Sequence, residues 1–351
     1  MASDDGRTRA DAPLLRPSLK DVAAHAGFGL RTTKKVMSGR ERVAEPTRQR
    51  ILAAAAELGY RKNVIASALA LAKRARIGLV YSELTKGYFP EVEQGFLRFA
   101  DEYQDYGLDI EFAKGHDTSV EHQAEALEAM LADDSITGVI LQPVSADGLD
   151  SCISRLTEAG KPVITFGSDA PASSRLAYIG PNAYKAGRIG AQILANYIGK
   201  RGVALVVSRG PEHMQTRERR HGFYDMLAEY YPEVEPTELV IEDPEATYAA
   251  IRAVVERQAI AAIFSTYADS SIAGQVLHDL ARRDIVLVGF DTSEETLSLM
   301  QKGYIKIILE QNPADFSYRA LKMMFDYKFF QQVPDPVVTT EVSILTSECL
   351  P

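Results

Sequence analysis

The sequence predicts an α/β protein: a three-helix module and hinge helix at the amino end, followed by two doubly wound parallel-sheet subdomains. Three observations carry this expectation. The apolar runs IGLVY, LDIEFA, TGVILQP, KPVITF, ALVVS, AAIFST and IVLVGFD alternate with amphipathic stretches such as VEQGFLRFADEY and HQAEALEAMLAD. Continuous apolar strands separated by helices are the pattern of parallel sheets covered on both faces. Before Ile77, three short helical patterns are punctuated by Gly27, Gly39 and Gly59. The third observation is charge: residues 1–76 carry a net +9 and residues 77–351 a net −18, which together give the overall −9. A basic head attracts polyanions while an acidic body is repelled by them, so the head is expected to meet nucleic acid.

At 351 residues the chain is long enough to bury a sizeable core without disulfides or metals. Its two cysteines, Cys152 and Cys349, lack the spacing of a zinc site or a disulfide framework. The motifs GxSxG, HExxH, GxxxxGK[ST] and GxGxxG are absent, and the six histidines form no ligand spacing. No cofactor, metal or catalytic residue is expected. VSRGPEHMQT places a glycine after a strand, a weak phosphate signal. The first 17 residues lack the apolar core of a signal peptide, and no run reaches the roughly 18 apolar residues of a membrane span, so a cytoplasmic protein without membrane contact is expected. Residues 1–17 read as a disordered arm whose Arg7, Arg9 and Arg16 can touch phosphates.

Residues 18–62 form the head. Ser18 and Asp21 make a capping box, and Leu19, Val22, Ala23 and Ala26 follow at helical spacing. Gly27 supplies a tight turn, a second helix spans Leu30 to Met37 and closes at Ser38-Gly39, and a third runs from about Pro46 through Arg50, Ile51, Leu52 and Ala55 to Leu58. Two short helices joined by a glycine-containing turn make a helix-turn-helix.

LKDVAAHAG, VMSG, TRQRILAAAAELGYRKN and ASALA, in order and at matching spacing, resemble the DNA-binding head of the lac repressor family. The resemblance implies a second helix seated in the major groove. Leu30, Arg31 and Lys35 then meet base edges, with Arg31 suited to guanine and Leu30 to a thymine methyl, while Thr32, Lys34 and Arg48 hold phosphates. A solvated face is the alternative for Lys34 and Lys35. The family's usual Val-Ser is Phe28-Gly29 here, and its Thr-Val-Ser-Arg is Thr32-Thr33-Lys34-Lys35, so Thr33 puts a hydroxyl where an apolar residue packs. Residues 63–76 are expected to form the hinge helix and linker. Asn63 caps VIASALAL, and Leu69 matches the family's leucine wedge into the minor groove, with helix-to-helix packing as the alternative.

Residues 77–351 form the effector-binding and dimerisation body. Ile77 to Val342 resembles the sugar-binding periplasmic proteins and the effector domains of the same family. That architecture implies three crossings between subdomains, expected near Leu176, Asp291 and Gln331. Subdomain one then comprises about 77–176 and 292–330, and subdomain two about 177–291 and 331–351. Ligands of such sheets sit beyond the carboxyl ends of the strands. Polar and aromatic residues there are the effector candidates: Ser82, Tyr88, Phe89, Ser168, Asp169, Arg217, Tyr267, Asp269, Asp291 and Gln311, the last at a position where the sugar-binding proteins carry a ligand glutamine. Alternatives stay open: capping or hinge hydrogen bonds for Asp291 and Gln311, a salt bridge of Arg217 with Glu218 or Asp291, and core packing for Tyr88 and Phe89. Gly167-Ser168-Asp169 stands where many pentose binders carry Asp-Arg.

Together these features predict a ligand-responsive transcription regulator, a repressor of carbohydrate or polyol metabolism. It is expected to be a homodimer or tetramer on a pseudo-palindromic operator, switched by a monosaccharide or polyol. A solute-binding protein of a transport system is the alternative from another class, and a sugar-processing enzyme is a third.

Overall fold

In the head, three helices bury one small apolar face each. These are α1 (Leu19–Ala26), α2 (Leu30–Ser38) and α3 (Glu45–Glu57). Val22, Ala26, Ile51, Ala54 and Ala55 form the centre, with Phe28, Val36, Met37 and Leu58 against it. Gly27 turns the chain at φ +73°, a conformation that costs glycine little. Thr33 is fully buried, and its hydroxyl donates to the carbonyl of Gly29 at 3.2 Å, which removes the cost of placing a polar group there. Arg50 reaches back from α3, with its guanidinium 5.2 Å from the centroid of the Phe28 ring.

The computed structural model describes residues 19–38, 43–58, 74–82, 88–115, 119–209, 214–267 and 270–350. The chain divides into two compact units, residues 1–72 and 73–351. The arm and most of the expected hinge segment lie outside the described residues, as do the helix-terminal Ser18, Gly39 and Gly59. Among the described residues no helix is long and apolar enough to cross a membrane.

The second unit contains two six-stranded sheets. Strands β1 (Ala75–Ser82), β2 (Leu108–Gly115), β3 (Ile136–Leu141), β4 (Val163–Phe166), β5 (Ala177–Pro181) and β11 (Val337–Thr340) form the first, in the order β11-β5-β4-β3-β1-β2. Strands β6 (Gly202–Arg209), β7 (Val234–Ile241), β8 (Ile260–Ser265), β9 (Val286–Phe290), β10 (Ile307–Glu310) and β12 (Ser343–Leu345) form the second, in the order β12-β10-β9-β8-β6-β7. All neighbours pair in parallel except β10 and β12. The crossover helices are α4 (Tyr88–Glu102), α5 (Val120–Ala132), α6 (Asp150–Glu158), α7 (Ala183–Tyr197), α8 (Met214–Tyr230), α9 (Thr247–Arg257), α10 (Ser271–Asp279), α11 (Glu294–Gln301) and α12 (Pro313–Phe330).

Two doubly wound sheets are as the sequence predicts, but all three crossings fall later than expected. After Leu176 the chain first adds β5, with Tyr178 in register with Thr165 of β4, and crosses at Asn182, whose side chain caps α7. After Asp291 it stays in the second subdomain through α11 and β10, and crosses at Asn312. After Gln331 it lays β11 beside β5, and only then returns to pair β12 with β10. Subdomain one is therefore residues 74–181 and 313–340, and subdomain two is 182–312 and 343–350. In each case one short strand joins its sheet before the chain leaves, because its backbone groups find partners there. The body also begins at β1's Ala75, two residues before the expected Ile77.

Helices α7 and α8 approach closely enough to leave no room for side chains at two glycines. A Cβ at Gly222 would lie 2.0 Å from the carbonyl oxygen of Tyr184, and one at Gly187 would lie 1.9 Å from that of Arg219. The contact fixes α8 against the second sheet, where Phe223 stacks on Phe264 at 4.4 Å. Alanine at Gly222 gains about 1 kcal/mol of helix propensity but forces backbone against backbone, an overpacking cost of about 1–3 kcal/mol or more. Gly222→Ala should therefore lower the urea midpoint without changing the m-value; a variant as stable as the parent would mean that the helices separate freely.

Candidate functional site

The head presents a basic face on α2. Leu30 is 43% exposed despite its apolar side chain, Arg31 and Lys34 are exposed, and Thr32 and Lys35 are half-buried. Arg48 is exposed in the first turns of α3. The first turn of α2 carries no acidic residue, so its positive helix end is not neutralised from within. This geometry offers side chains to base edges and phosphates from one short helix. Asn63 and Leu69 lie outside the described residues.

In the body, the carboxyl ends of β8, β9 and β10 carry a buried polar array centred on Arg219 of α8. Its Nη1 donates to the carbonyl of Thr266 at 2.8 Å, and its Nη2 donates to Oε1 of Gln311 at 2.6 Å and of Gln215 at 3.3 Å. The guanidinium lies 3.7 Å from the centroid of the Phe290 ring, a stacked arrangement that leaves its edges for hydrogen bonding. Nε is buried without a partner. Gln311 passes the contact on, its Nε2 lying 2.7 Å from both carboxylate oxygens of Asp291. Asp291 holds φ at +55°, outside the usual range of a non-glycine residue, at the point where β9 ends.

The first subdomain supplies the facing wall. Tyr88 at the start of α4 is buried, and Nε2 of Gln142, just beyond β3, donates to its hydroxyl at 3.3 Å. Tyr178 of β5 donates its hydroxyl toward the carbonyls of Gly167 and Pro181. Both phenols lie near enough to Arg219 to feel its charge, and Tyr88 feels that of Asp291 as well. Burial drives both phenols far above their ordinary range, so they act as neutral hydrogen-bonding groups.

The other expected residues fall elsewhere. Arg217 is a correction: it is exposed and lies 3.6 Å from Glu218, on the outer side of α8, whereas Arg219 is the arginine that turns inward. Asp169 is a second correction. Its carboxylate is taken up within subdomain one by the guanidinium of Arg175, the hydroxyl of Thr165 and the backbone N–H of Ala170. Phe89 packs in the core, stacked on Tyr81 at 5.6 Å, and Tyr267 packs with the apolar layer of the second sheet. Ser168 is half-buried beside Gly167. Ser82 ends β1 opposite Gly115, its side chain outside the described set, and Asp269 lies outside the described residues altogether.

Charge at this site is uneven. Burial, reinforced by the neighbouring charge of Glu310, pushes the Asp291 carboxyl up to about 7. Glu91 of α4 is also pushed up to about 7, by its burial and by Glu310 of the opposite subdomain. The Arg219 guanidinium is shifted down by burial, while Asp291 opposes that shift. Three carboxyls and one guanidinium therefore share the region.

Comparison with known proteins places both parts of the chain. Residues 77–331 match the periplasmic binding protein domain, and residues 18–63 match the bacterial regulatory proteins of the lacI family. The chain belongs to the periplasmic binding protein domain family and carries a lacI-family DNA-binding head. Among relatives of this regulator, the HTH-type transcriptional regulator CelR of Thermobifida fusca is 29% identical over 291 residues, covering 79% of this chain and 83% of that one. The ribose operon repressor of Bacillus subtilis is 25% identical, covering 78% and 81% respectively. The fold matches GanP, a glucose-galactose binding protein from Geobacillus stearothermophilus, with a TM-score of 0.71 and 24% identity over 80% of this chain and 99% of that one. The regulator thus joins a DNA-binding head to a ligand-binding body.

The sequence carries a signal for two further residues of this array, Arg219 and Gln142. Thr216, Arg219, Gly222, Phe223 and Met226 form the buried stripe of α8 at helical spacing, which singles out Arg219 over Arg217. Gln142 is the first polar residue after β3, the same position relative to its strand that pointed to other candidates.

A raised carboxyl pKa in the folded state means that the folded chain keeps a proton that the unfolded chain has released. The stability of the regulator relative to an Asp291→Asn variant should therefore be greatest below about pH 4 and fall as the pH rises through about 7. Urea midpoints of both proteins between pH 4.5 and 8 measure this. A difference that stays constant across that range would place the retained proton on another group.

Proposed function

We propose that the protein represses genes for the uptake or breakdown of a carbohydrate and that an uncharged monosaccharide or polyol controls its grip on DNA. The observation that carries this reading is the array of Arg219, Gln311 and Asp291 facing Tyr88 and Gln142, in a chain whose amino end is a helix-turn-helix. Vicinal hydroxyls both donate and accept, and this array offers a planar guanidinium, two carboxamides, a carboxylate and a phenol to meet them. Three carboxyls around one guanidinium disfavour an anionic effector. The names of the ribose operon repressor of Bacillus subtilis and the glucose-galactose binding protein GanP support the same class. The solute-binding alternative has the body in its favour and the helical head against it.

The effector acts by binding one arrangement of the two subdomains better than another, and its differential affinity sets how far the switch can move. In this reading the protein works in the cytoplasm as a dimer, because a pseudo-palindromic operator mirrors two-fold protein symmetry. Asn63 and Leu69 serve the hinge, as the family resemblance implies.

A thermal-shift screen of neutral sugars and polyols on the full chain tests the effector. A cognate ligand at about a hundred times its Kd adds about 2.7 kcal/mol of stability. Arg219→Ala should abolish that shift and Arg217→Ala should keep it, with DNA binding retained in both. A shift that survives Arg219→Ala would move the site away from this array.

A binding titration tests the head. Arg31→Ala should weaken binding to the protein's own promoter region by about 1–3 kcal/mol while barely changing binding to random DNA. Lys34→Ala should weaken both and reduce the salt slope by about 1. Equal affinity of the unaltered protein for promoter and random DNA at physiological salt would end the repressor reading.

A further inference from the structure

Strands β9 and β10 end side by side, and the backbone beyond each turns left-handed. Leu309 is in register with Phe290, and the backbone N–H of Asp291 donates to the carbonyl of Leu309 at 3.3 Å. Past that pairing Asp291 holds φ at +55° and Asn312 holds it at +57°. Residues other than glycine enter this region at a cost, so both turns need support from their surroundings.

Glu310, the half-buried last residue of β10, supplies it to both. Its Oε2 accepts from the backbone N–H of Thr292 at 3.2 Å and from the Thr292 hydroxyl at 3.0 Å, and its Oε1 accepts from the backbone N–H of Asn312 at 3.0 Å. One oxygen thus closes the turn after Asp291 and the other closes the turn after Gln311. A carboxylate suits this place because both of its oxygens accept and neither needs an acceptor of its own. The residues so held are the ones that meet Arg219: Gln311 accepts from the guanidinium, and its Nε2 lies 2.7 Å from both oxygens of Asp291. Among the described residues Glu310 makes no hydrogen bond to a side chain of the array, so its hold on the array passes through the backbone of the two turns. We propose that Glu310 is the positioning residue of the effector array, fixing with one carboxylate the two turns that aim Asp291 and Gln311 toward Arg219. This role presupposes that the array receives the effector.

The charge of Glu310 adds a signature that backbone support alone lacks. The groups around Asp291 are Arg219 of α8, Glu310 and Gln311 at the end of β10, and Tyr88 and Glu91 of α4 in the facing subdomain. Burial pushes the Asp291 carboxyl up to about 7 with Glu310 as the next cause, and Glu310 acts on Glu91 in the same direction. A neutral side chain at position 310 therefore lets Asp291 release its proton at lower pH. The folded chain keeps that proton where the unfolded chain has lost it, so the stability of the regulator relative to Asp291→Asn falls as the pH rises and levels off once the folded carboxyl ionises. With Glu310→Gln in both members of that comparison, the levelling moves to lower pH.

Urea midpoints of the full-length chain, Asp291→Asn, Glu310→Gln and the double variant between pH 4.5 and 8 measure this signature. An identical profile in the two backgrounds would overturn the proposal. Calorimetric titration with D-ribose, D-glucose, D-galactose and D-sorbitol as probes measures the positioning itself. A probe that binds the unaltered chain should bind Glu310→Ala more weakly by about tenfold or more. Glu310→Gln should fall between the two, because a single carboxamide oxygen serves one turn but not both. Undiminished affinity in Glu310→Ala would overturn the proposal; should that variant not fold, Glu310→Gln supplies both readouts. Lack of binding by all four probes would count against the effector reading, and the pH profile would then decide the place of Glu310 by itself.

Discussion

The body is organised around the burial of one guanidinium. Arg219 is 3% exposed, and a full charge removed from water is tolerated only where hydrogen bonds and opposite charge replace the lost hydration. The fold provides these from three separate segments. Thr266 follows β8, Phe290 ends β9, and Gln311 follows β10 and carries the contact to Asp291. The close glycine contacts between α7 and α8 hold the helix that delivers the arginine. The ends of β8, β9 and β10 thus converge on Arg219, which α8 delivers from its packing on α7.

Burial also governs the electrostatics. Asp291 opposes the burial of this guanidinium, yet burial, reinforced by the charge of Glu310, drives the Asp291 and Glu91 carboxyls toward neutrality. Burial keeps the phenols of Tyr88 and Tyr178 neutral as well. Fixed dipoles and one cation surrounded by groups reluctant to ionise suit the recognition of hydroxyls, which offer lone pairs and protons but no net charge.

Much of the fold was legible in the residues. The helical head followed from capping and glycine punctuation, and the parallel sheets followed from continuous apolar runs such as TGVILQP and IVLVGFD. The crossings were not legible because β5, β10 and β11 are only four or five residues long, and their membership of a sheet is decided by backbone pairing with distant strands. Asp291 and Gln311 announced themselves as polar residues after strands. Arg217 misled because it shares a run with Arg219, and only the helical period separates an outward arginine from an inward one. Asp169 misled because its partner Arg175 lies in the following loop, a pairing that the strand-end rule does not register.

Asn312 stands at the second crossing with φ at +57°, and its side chain accepts from the backbone N–H of Asp315 to start α12. The residue before it touches the guanidinium array, and the helix after it runs 18 residues through the first subdomain. At a rise of 1.5 Å per residue that helix is about 27 Å long, so a tilt of about 5° at its origin moves its far end by about 2 Å. By geometry alone, a tilt at Asn312 that leaves the contacts of Gln311 intact is magnified along α12 into a displacement of atomic size at its far end.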